Sequence, residues 1–196
     1  MNKNLSIIVA SSLEYGIGYD NKLCWNIPEE LKSFRHITLS CQRKDTKNCL
    51  IMGKNTWYSL PNAPSPLKDR VNVIISSCDY EKISKEIEGM PDVFVFRTIE
   101  DALKYIDDED IIENCFVIGG ALIYDAFLEK YIKYVKAIYW SIIYDKKYLC
   151  DRFIPSNIIY NNFSFLKEDI VIKDKYVSMY GVNKNNLNVV IDEPPD

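Results

Sequence analysis

The sequence predicts an α/β protein built on a central, mostly parallel sheet. Six short apolar runs carry this prediction, at Leu5–Ala10, Cys49–Met52, Val71–Ile75, Val93–Phe96, Cys115–Ile118 and Ala137–Ile143. Each is continuous rather than alternating and rich in β-branched or aromatic residues, as in strands covered on both faces. Segments with helical patterning lie between them, and such alternation marks α/β architecture. With 196 residues, 47% hydrophobic and 13% aromatic, the chain is long enough to bury a sizeable core.

The first strand, Leu5–Ala10, is followed by Gly16-Ile17-Gly18 and Asp20-Asn21-Lys22, which read as a loop. Without a third glycine and a helix this is not a dinucleotide-binding fingerprint. Pro28 then suits the first turn of a helix running to Ser40, because its missing N–H costs nothing there. At about 100° per residue, Ile27, Leu31, Phe34 and Ile37 form one apolar stripe. Glu29 and His36 point to water, whereas Glu30 falls inside the stripe. A carboxylate on a buried face is costly unless paired, and no basic residue shares the stripe. Glu30 therefore marks a candidate ligand site.

Short helices are predicted at Lys54–Ser59 and near Tyr80–Glu88, after the second and third strands. Thr98-Ile99-Glu100-Asp101 opens a helix to Ile106 with a capping-box pattern, and Ala121–Tyr131 follows Gly119-Gly120. Asp169–Ile172 and Tyr176–Val182 read as an antiparallel hairpin at the sheet edge. The folded unit is placed at 1–183. Residues 184–196 form a polar tail: a disordered end, an extra edge strand or the start of a linker.

Composition narrows the function classes. A net charge of −4 gives no electrostatic case for nucleic acid or an anionic membrane. No apolar stretch reaches membrane length, and the N-terminus has no signal-peptide pattern. The six cysteines lack a C-x-x-C pair and read as free thiols in a reducing, cytoplasmic setting, without metal. The single histidine leaves no basis for a His-centred triad.

Several strand ends carry candidate binding groups. Gly119-Gly120 between a strand and a helix is either a tight turn or a phosphate cradle, where bare backbone and a helix N-terminus meet an anion. Lys54 and Thr56, after Gly53, are a solvated lysine beside a helix cap or phosphate ligands. Ser76-Ser77 either caps a turn or binds phosphate. Arg70, if it faces a cleft, has a planar fork suited to a carboxylate.

Each signal is weak alone, but their order is specific. From Leu5 to Val182 the chain resembles dihydrofolate reductase. The resemblance rests on Ile8-Val9-Ala10, Gly16-Ile17-Gly18, Trp25 followed by Glu30, and Ile51-Met52-Gly53-Lys54-Asn55-Thr56-Trp57. It continues through Pro66-Leu67-Lys68-Asp69-Arg70, Ser76-Ser77, Ile118-Gly119-Gly120 and Asp151-Arg152-Phe153-Ile154-Pro155. It implies a three-layer α/β/α fold with a twisted sheet, a catalytic domain at 1–183, and reduction of 7,8-dihydrofolate by hydride from NADPH. The substrate is thus dihydrofolate, antifolates are expected inhibitors, and the product serves one-carbon metabolism and thymidylate synthesis. The expected state is a monomer, unless fused to or associated with thymidylate synthase.

The resemblance also implies roles. Glu30 is the active-site carboxylate, accepting two adjacent pterin N–H groups, with water carrying the proton to N5. Trp25 holds that water, and Ser141 supports the carboxylate where Thr is usual. Leu31 and Phe34 sandwich the rings with Leu60 opposite. Arg70 clamps the substrate α-carboxylate, Ile8 and Ile118 offer backbone carbonyls to the pterin, and Tyr124 lies nearby. For the cofactor, Ala10 and Ile17 meet the nicotinamide amide. Lys54, Asn55, Thr56, Ser76 and Ser77 hold phosphates, with Arg97 near the adenosine. Gly119, Gly120 and Ala121 cradle the pyrophosphate, with a cis peptide between the glycines. The chain departs from the family at Cys24, where Pro commonly precedes the Trp, and at Arg152 and Ile154.

Two other readings are a pterin or ribityl-pyrimidine reductase on the same fold, and a non-catalytic nucleotide-binding module. Arg70 argues against the former. The intact Glu30 and glycine pair argue against the latter.

Overall fold

In chain order the elements are β1 (Asn4–Ser12), β2 (Gly16–Gly18), α1 (Pro28–Leu39), β3 (Lys47–Gly53), α2 (Lys54–Ser59), β4 (Val71–Ile75), α3 (Tyr80–Glu86), β5 (Val93–Phe96) and α4 (Ile99–Asp108). Then come β6 (Ile112–Gly119), α5 (Ala121–Glu129), β7 (Val135–Ile143), β8 (Arg152–Phe153), α6 (Ser156–Asn162), β9 (Phe163–Ile172) and β10 (Tyr176–Asn183). The structure, a computed structural model, describes residues 3–61 and 63–186.

Eight strands form one sheet in the order β5-β4-β3-β6-β1-β7-β10-β9. All pairs from β5 to β7 are parallel, and β10 joins β7 and β9 antiparallel. The chain winds outward through β3, β4 and β5, then returns to insert β6 between β3 and β1. Every strand carboxyl end from β5 to β7 therefore lies along the same side of the sheet.

Side chains alternate across a strand, so residue parity sorts the core into two faces. Leu5, Ile7, Val9, Cys49, Ile51, Val71, Val73, Cys115 and Val117 pack with α4, α5 and α6 through Ala102, Ile106, Ile123, Phe127 and Ile159. Ile8, Leu50, Met52, Ile74 and Phe116 face the other way, onto Trp57 of α2, Ile83 of α3 and the half-buried Phe34 and Ile37 of α1. This is the α/β/α layering, and it explains why the central strands read as unbroken apolar runs. No helix among the described residues is long and apolar enough to cross a membrane.

Three expectations need correction, and one helix had no counterpart in the sequence reading. Gly16-Ile17-Gly18, read as a loop, forms β2, which pairs antiparallel with Arg152 and Phe153 of β8. The segments are too short to show a period, and their partners lie far apart in sequence. Helix α6 was not foreseen, because Ile158 and Ile159 are adjacent and give no helical spacing. The C-terminal hairpin is longer than Asp169–Ile172 suggests, since β9 begins at Phe163. Its solvent-facing residues hide the alternation. Leu31, on the apolar stripe by spacing, is 43% exposed, because no core element covers that part of α1. Of the polar tail, Lys184–Asn186 form a single 3-10 turn, and the rest lies outside the described residues.

Candidate active site

Pro28 at the first helical position starts α1, and Glu29 and Glu30 occupy its first turn, where the helix dipole favours anions. Glu30 is 8% exposed, whereas Glu29 and His36 are exposed, as the stripe predicts. Burial pushes the Glu30 pKa up, and a hydrogen bond with Ser141 pulls the other way. Ser141 reaches this position from β7, where it is in register with Ala10 on β1 and Ser178 on β10. Tyr124 is buried. Its hydroxyl donates to Ile8 O at 2.9 Å, and the negative charge of Glu30 adds to burial in raising its pKa.

Trp25 is 7% exposed and packs with Ile27, Ile143 and Tyr176, with half-buried Ala10 alongside. Among the described residues its Nε1 is buried without a hydrogen-bond partner, as is that of Trp57. A buried donor left unpaired by protein costs stability unless a small polar molecule meets it. Phe34 and Leu60 pack against one shared cluster from α1 and the end of α2, so the structure brings these two expected ring contacts together. Ile118 is half-buried on β6 beside the same cluster.

Arg70 is only 4% exposed, not solvated as a loop-end arginine usually is. Its Nε donates to Lys68 O at 3.0 Å and its Nη1 to Thr38 Oγ1 at 2.9 Å. Among the described residues no carboxylate ion-pairs with it. Burial and the neighbouring Arg35 lower its pKa, and Asp69 opposes them. The guanidinium is held in place with part of its fork uncommitted. Thr38 was missed from sequence. It is fully buried, donates to Phe34 O at 2.8 Å and orients Arg70. The available signal was a hydroxyl one helical turn beyond Phe34 on the apolar side.

The remaining candidates line the strand carboxyl ends. In sheet order these are Arg97 after β5, Ser76 and Ser77 after β4, Lys54, Asn55 and Thr56 after β3, Gly119, Gly120 and Ala121 after β6, and Ala10 near the end of β1. Ligands of open α/β sheets bind along this edge. The peptide between Gly119 and Gly120 is cis, as the resemblance implies. A Cβ on Gly119 would lie 2.6 Å from the Tyr124 ring, one on Gly120 3.3 Å from Thr56 Oγ1, and one on Gly53 3.1 Å from Ile123 Cγ1. The glycines thus let the starts of α2 and α5 approach each other. Neither helix has a side-chain cap or an acidic residue in its first turn. Bare N–H groups at a positive dipole end suit a pyrophosphate.

The outer candidates are already engaged. Lys54 Nζ ion-pairs with Asp79, and Asn55 Nδ2 donates to Asn21 Oδ1 at 2.9 Å. Ser76 is buried and its Oγ accepts from Asp79 N at 3.1 Å, while Ser77 is exposed. Arg97 stacks over Tyr80 at 4.2 Å and donates to Ser77 O at 3.3 Å and Glu81 Oε1 at 2.5 Å. Ile17, on β2, is half-buried against the main core. All six cysteines are free, and no group of three or more His, Cys, Asp or Glu among the described residues could hold a metal.

Comparison with known proteins agrees with this arrangement. A family model described as dihydrofolate reductase matches residues 4–184. The chain is 32% identical to a dihydrofolate reductase of Heliothis virescens over 174 residues, covering 88% of this chain and 90% of that protein. It is 30% identical to that of Gallus gallus over 172 residues, 85% of each. It is also 37% identical to a bifunctional dihydrofolate reductase-thymidylate synthase of Arabidopsis thaliana over 153 residues, spanning only 26% of that longer protein. A buried carboxylate beside a row of phosphate-suited strand ends, in a chain matched almost end to end, leaves one conclusion: it belongs to the dihydrofolate reductase family.

Proposed function

We infer that this chain performs the reaction of its family, reducing 7,8-dihydrofolate to tetrahydrofolate with NADPH. The observation that carries this is Glu30, a buried acid on the side of α1 that faces β7, joined to Ser141 beside Ala10. NADPH, when bound, supplies the hydride for C6 of the substrate. The residues that fit it are Gly119, Gly120 and Ala121 at its pyrophosphate, Lys54, Asn55, Thr56, Ser76, Ser77 and Arg97 at its phosphates and adenosine, and Ala10 and Ile17 at its amide.

Glu30 accepts two N–H donors of the pterin edge, and this pairing offsets the cost of its burial. Ser141 fixes the carboxylate's orientation. Trp25 walls the site beside Ala10, where a water polarised by Glu30 delivers the proton to N5. Ile8 O, already accepting from Tyr124, has a second lone pair for the pterin amino group. Ile118 O offers another acceptor. Phe34 and Leu60 enclose the rings with Leu31 on the open side, and Arg70 takes the α-carboxylate.

The folded catalytic unit is 1–183. It works as a cytoplasmic monomer unless joined to thymidylate synthase, and antifolates compete at the pterin site. The test is loss of reduced-nicotinamide absorbance on adding dihydrofolate, with Glu30→Gln as control. Turnover with wild type and its near-absence in the variant are expected. Equal rates in both would remove Glu30 from the mechanism, and no turnover in wild type would overturn the reading.

A further inference from the structure

The loop between β2 and α1 meets the segment between β7 and β8 edge to edge. Asp151 N donates to Gly18 O at 2.9 Å, Asp20 N donates to Asp151 Oδ2 at 3.2 Å, and Trp25 lies edge-on to Tyr148 at 5.4 Å. Inside this contact Cys24 Sγ and Cys150 Sγ are 3.5 Å apart, and Cys24 Sγ also donates to Leu149 O at 3.2 Å. Room is made for the approach: a Cβ on Gly16 would fall 2.4 Å from Cys150 Sγ. We propose that Cys24 and Cys150 are a redox pair that a low-molecular-weight disulfide oxidises to an internal disulfide, clamping the loop that carries Trp25 onto the segment before β8.

Both residues are half-exposed, so a small reagent reaches them. Small rotations bring the sulfurs to the about 2.05 Å of an S–S bond. One thiol gives its proton to solvent, and the thiolate attacks the reagent, forming a mixed disulfide and releasing one reagent thiolate. The second thiol, deprotonated in turn, attacks the protein-side sulfur, forming the Sγ–Sγ bond and releasing the second reagent thiolate. The protein gives up two electrons and two protons, and the reagent becomes two thiols. Burial, then Cys150 and Asp151, push the Cys24 thiol up, which slows the exchange, so it is run at alkaline pH with a prolonged incubation.

Two cysteine sites serve as internal controls. Cys49 and Cys115 are paired across β3 and β6 but fully buried, out of reach of the reagent. Cys78 is exposed and reports that the reagent is active.

The protein is treated with oxidised glutathione and its peptides are mapped by mass spectrometry. The expected product is a 24–150 cross-link, about 2 Da lighter than the two reduced peptides and reversed by dithiothreitol. Protease cleavage within residues 13–27 should slow. Since loop opening limits turnover in many enzymes, kcat should fall roughly threefold or more and recover on reduction. Cys150→Ser and, independently, Cys24→Ser should each keep their own untreated turnover through the treatment. Glutathione adducts on Cys24 or Cys150 without the cross-link would overturn the pair. A cross-linked protein with unaltered turnover would overturn the clamp. The mass readout does not depend on which substrate the chain reduces.

Discussion

Glu30 sets function against stability within one side chain. Its pKa is higher in the folded protein than its ordinary 4.5, so the folded state binds the proton more tightly than the unfolded state. The group favours folding while protonated, and that contribution is lost as pH rises through the folded-state pKa, leaving a buried charge. Glu30→Gln should therefore lower kcat by on the order of 100-fold or more while raising the ligand-free protein's stability at neutral pH by about 1 kcal/mol. The stability gap should close as pH falls below the ordinary carboxylate range; urea midpoints across pH check this. Arg70→Leu should raise the KM for dihydrofolate on the order of 100-fold with a small change in kcat, and leave pterins without a glutamate tail unaffected. Steady-state kinetics with both substrates separate the two effects. Glu30 was legible because a charge broke an apolar pattern. Arg70's burial and Thr38's part in it were not, because both depend on a contact between residues 32 positions apart.

At the scale of elements, the parallel strands and the helices between them were legible to within about three residues, because burial on both faces leaves a continuous apolar run, while the more polar strand ends such as Ile112–Asn114 of β6 were not. Three elements escaped: β2, β8 and α6. The first two are stabilised by each other rather than by any pattern of their own, and α6 shows adjacent isoleucines instead of a stripe. The junction of β6 and α5 is the least forgiving element. Gly119 has φ 102°, which L side chains rarely adopt, and a Cβ there would strike the Tyr124 ring at 2.6 Å. Gly119→Ala should cost about 3 kcal/mol, read as a lowered urea midpoint. Gly120→Ala meets only a hydroxyl at 3.3 Å, and should weaken NADPH binding more than it weakens the fold. Fluorescence titration with the cofactor distinguishes these outcomes.

At the scale of the molecule, the two cores share one set of strands. Trp140 reports from the face covered by α4, α5 and α6, and Trp57 from the face covered by α1, α2 and α3. Neither layer can loosen without exposing the backs of strands that the other layer covers. Unfolding should thus be one transition, with single-tryptophan variants that keep Trp57 or Trp140 giving coincident urea curves that also match far-ultraviolet circular dichroism. Separate midpoints would mean that the layers melt independently.

One consequence follows from the length of α1. Glu30 stands at its beginning and Thr38, which orients Arg70, near its end. Eight residues of helix measure about 12 Å. The helix is in effect a ruler, with Glu30 marking one end and Thr38, holding Arg70, marking the other. On the roles proposed for Glu30 and Arg70, a molecule would be gripped at both marks only when its donor edge and its carboxylate are spaced to match. Shorter heterocycles would then reach one mark and miss the other, so the length of α1 would act as a size filter.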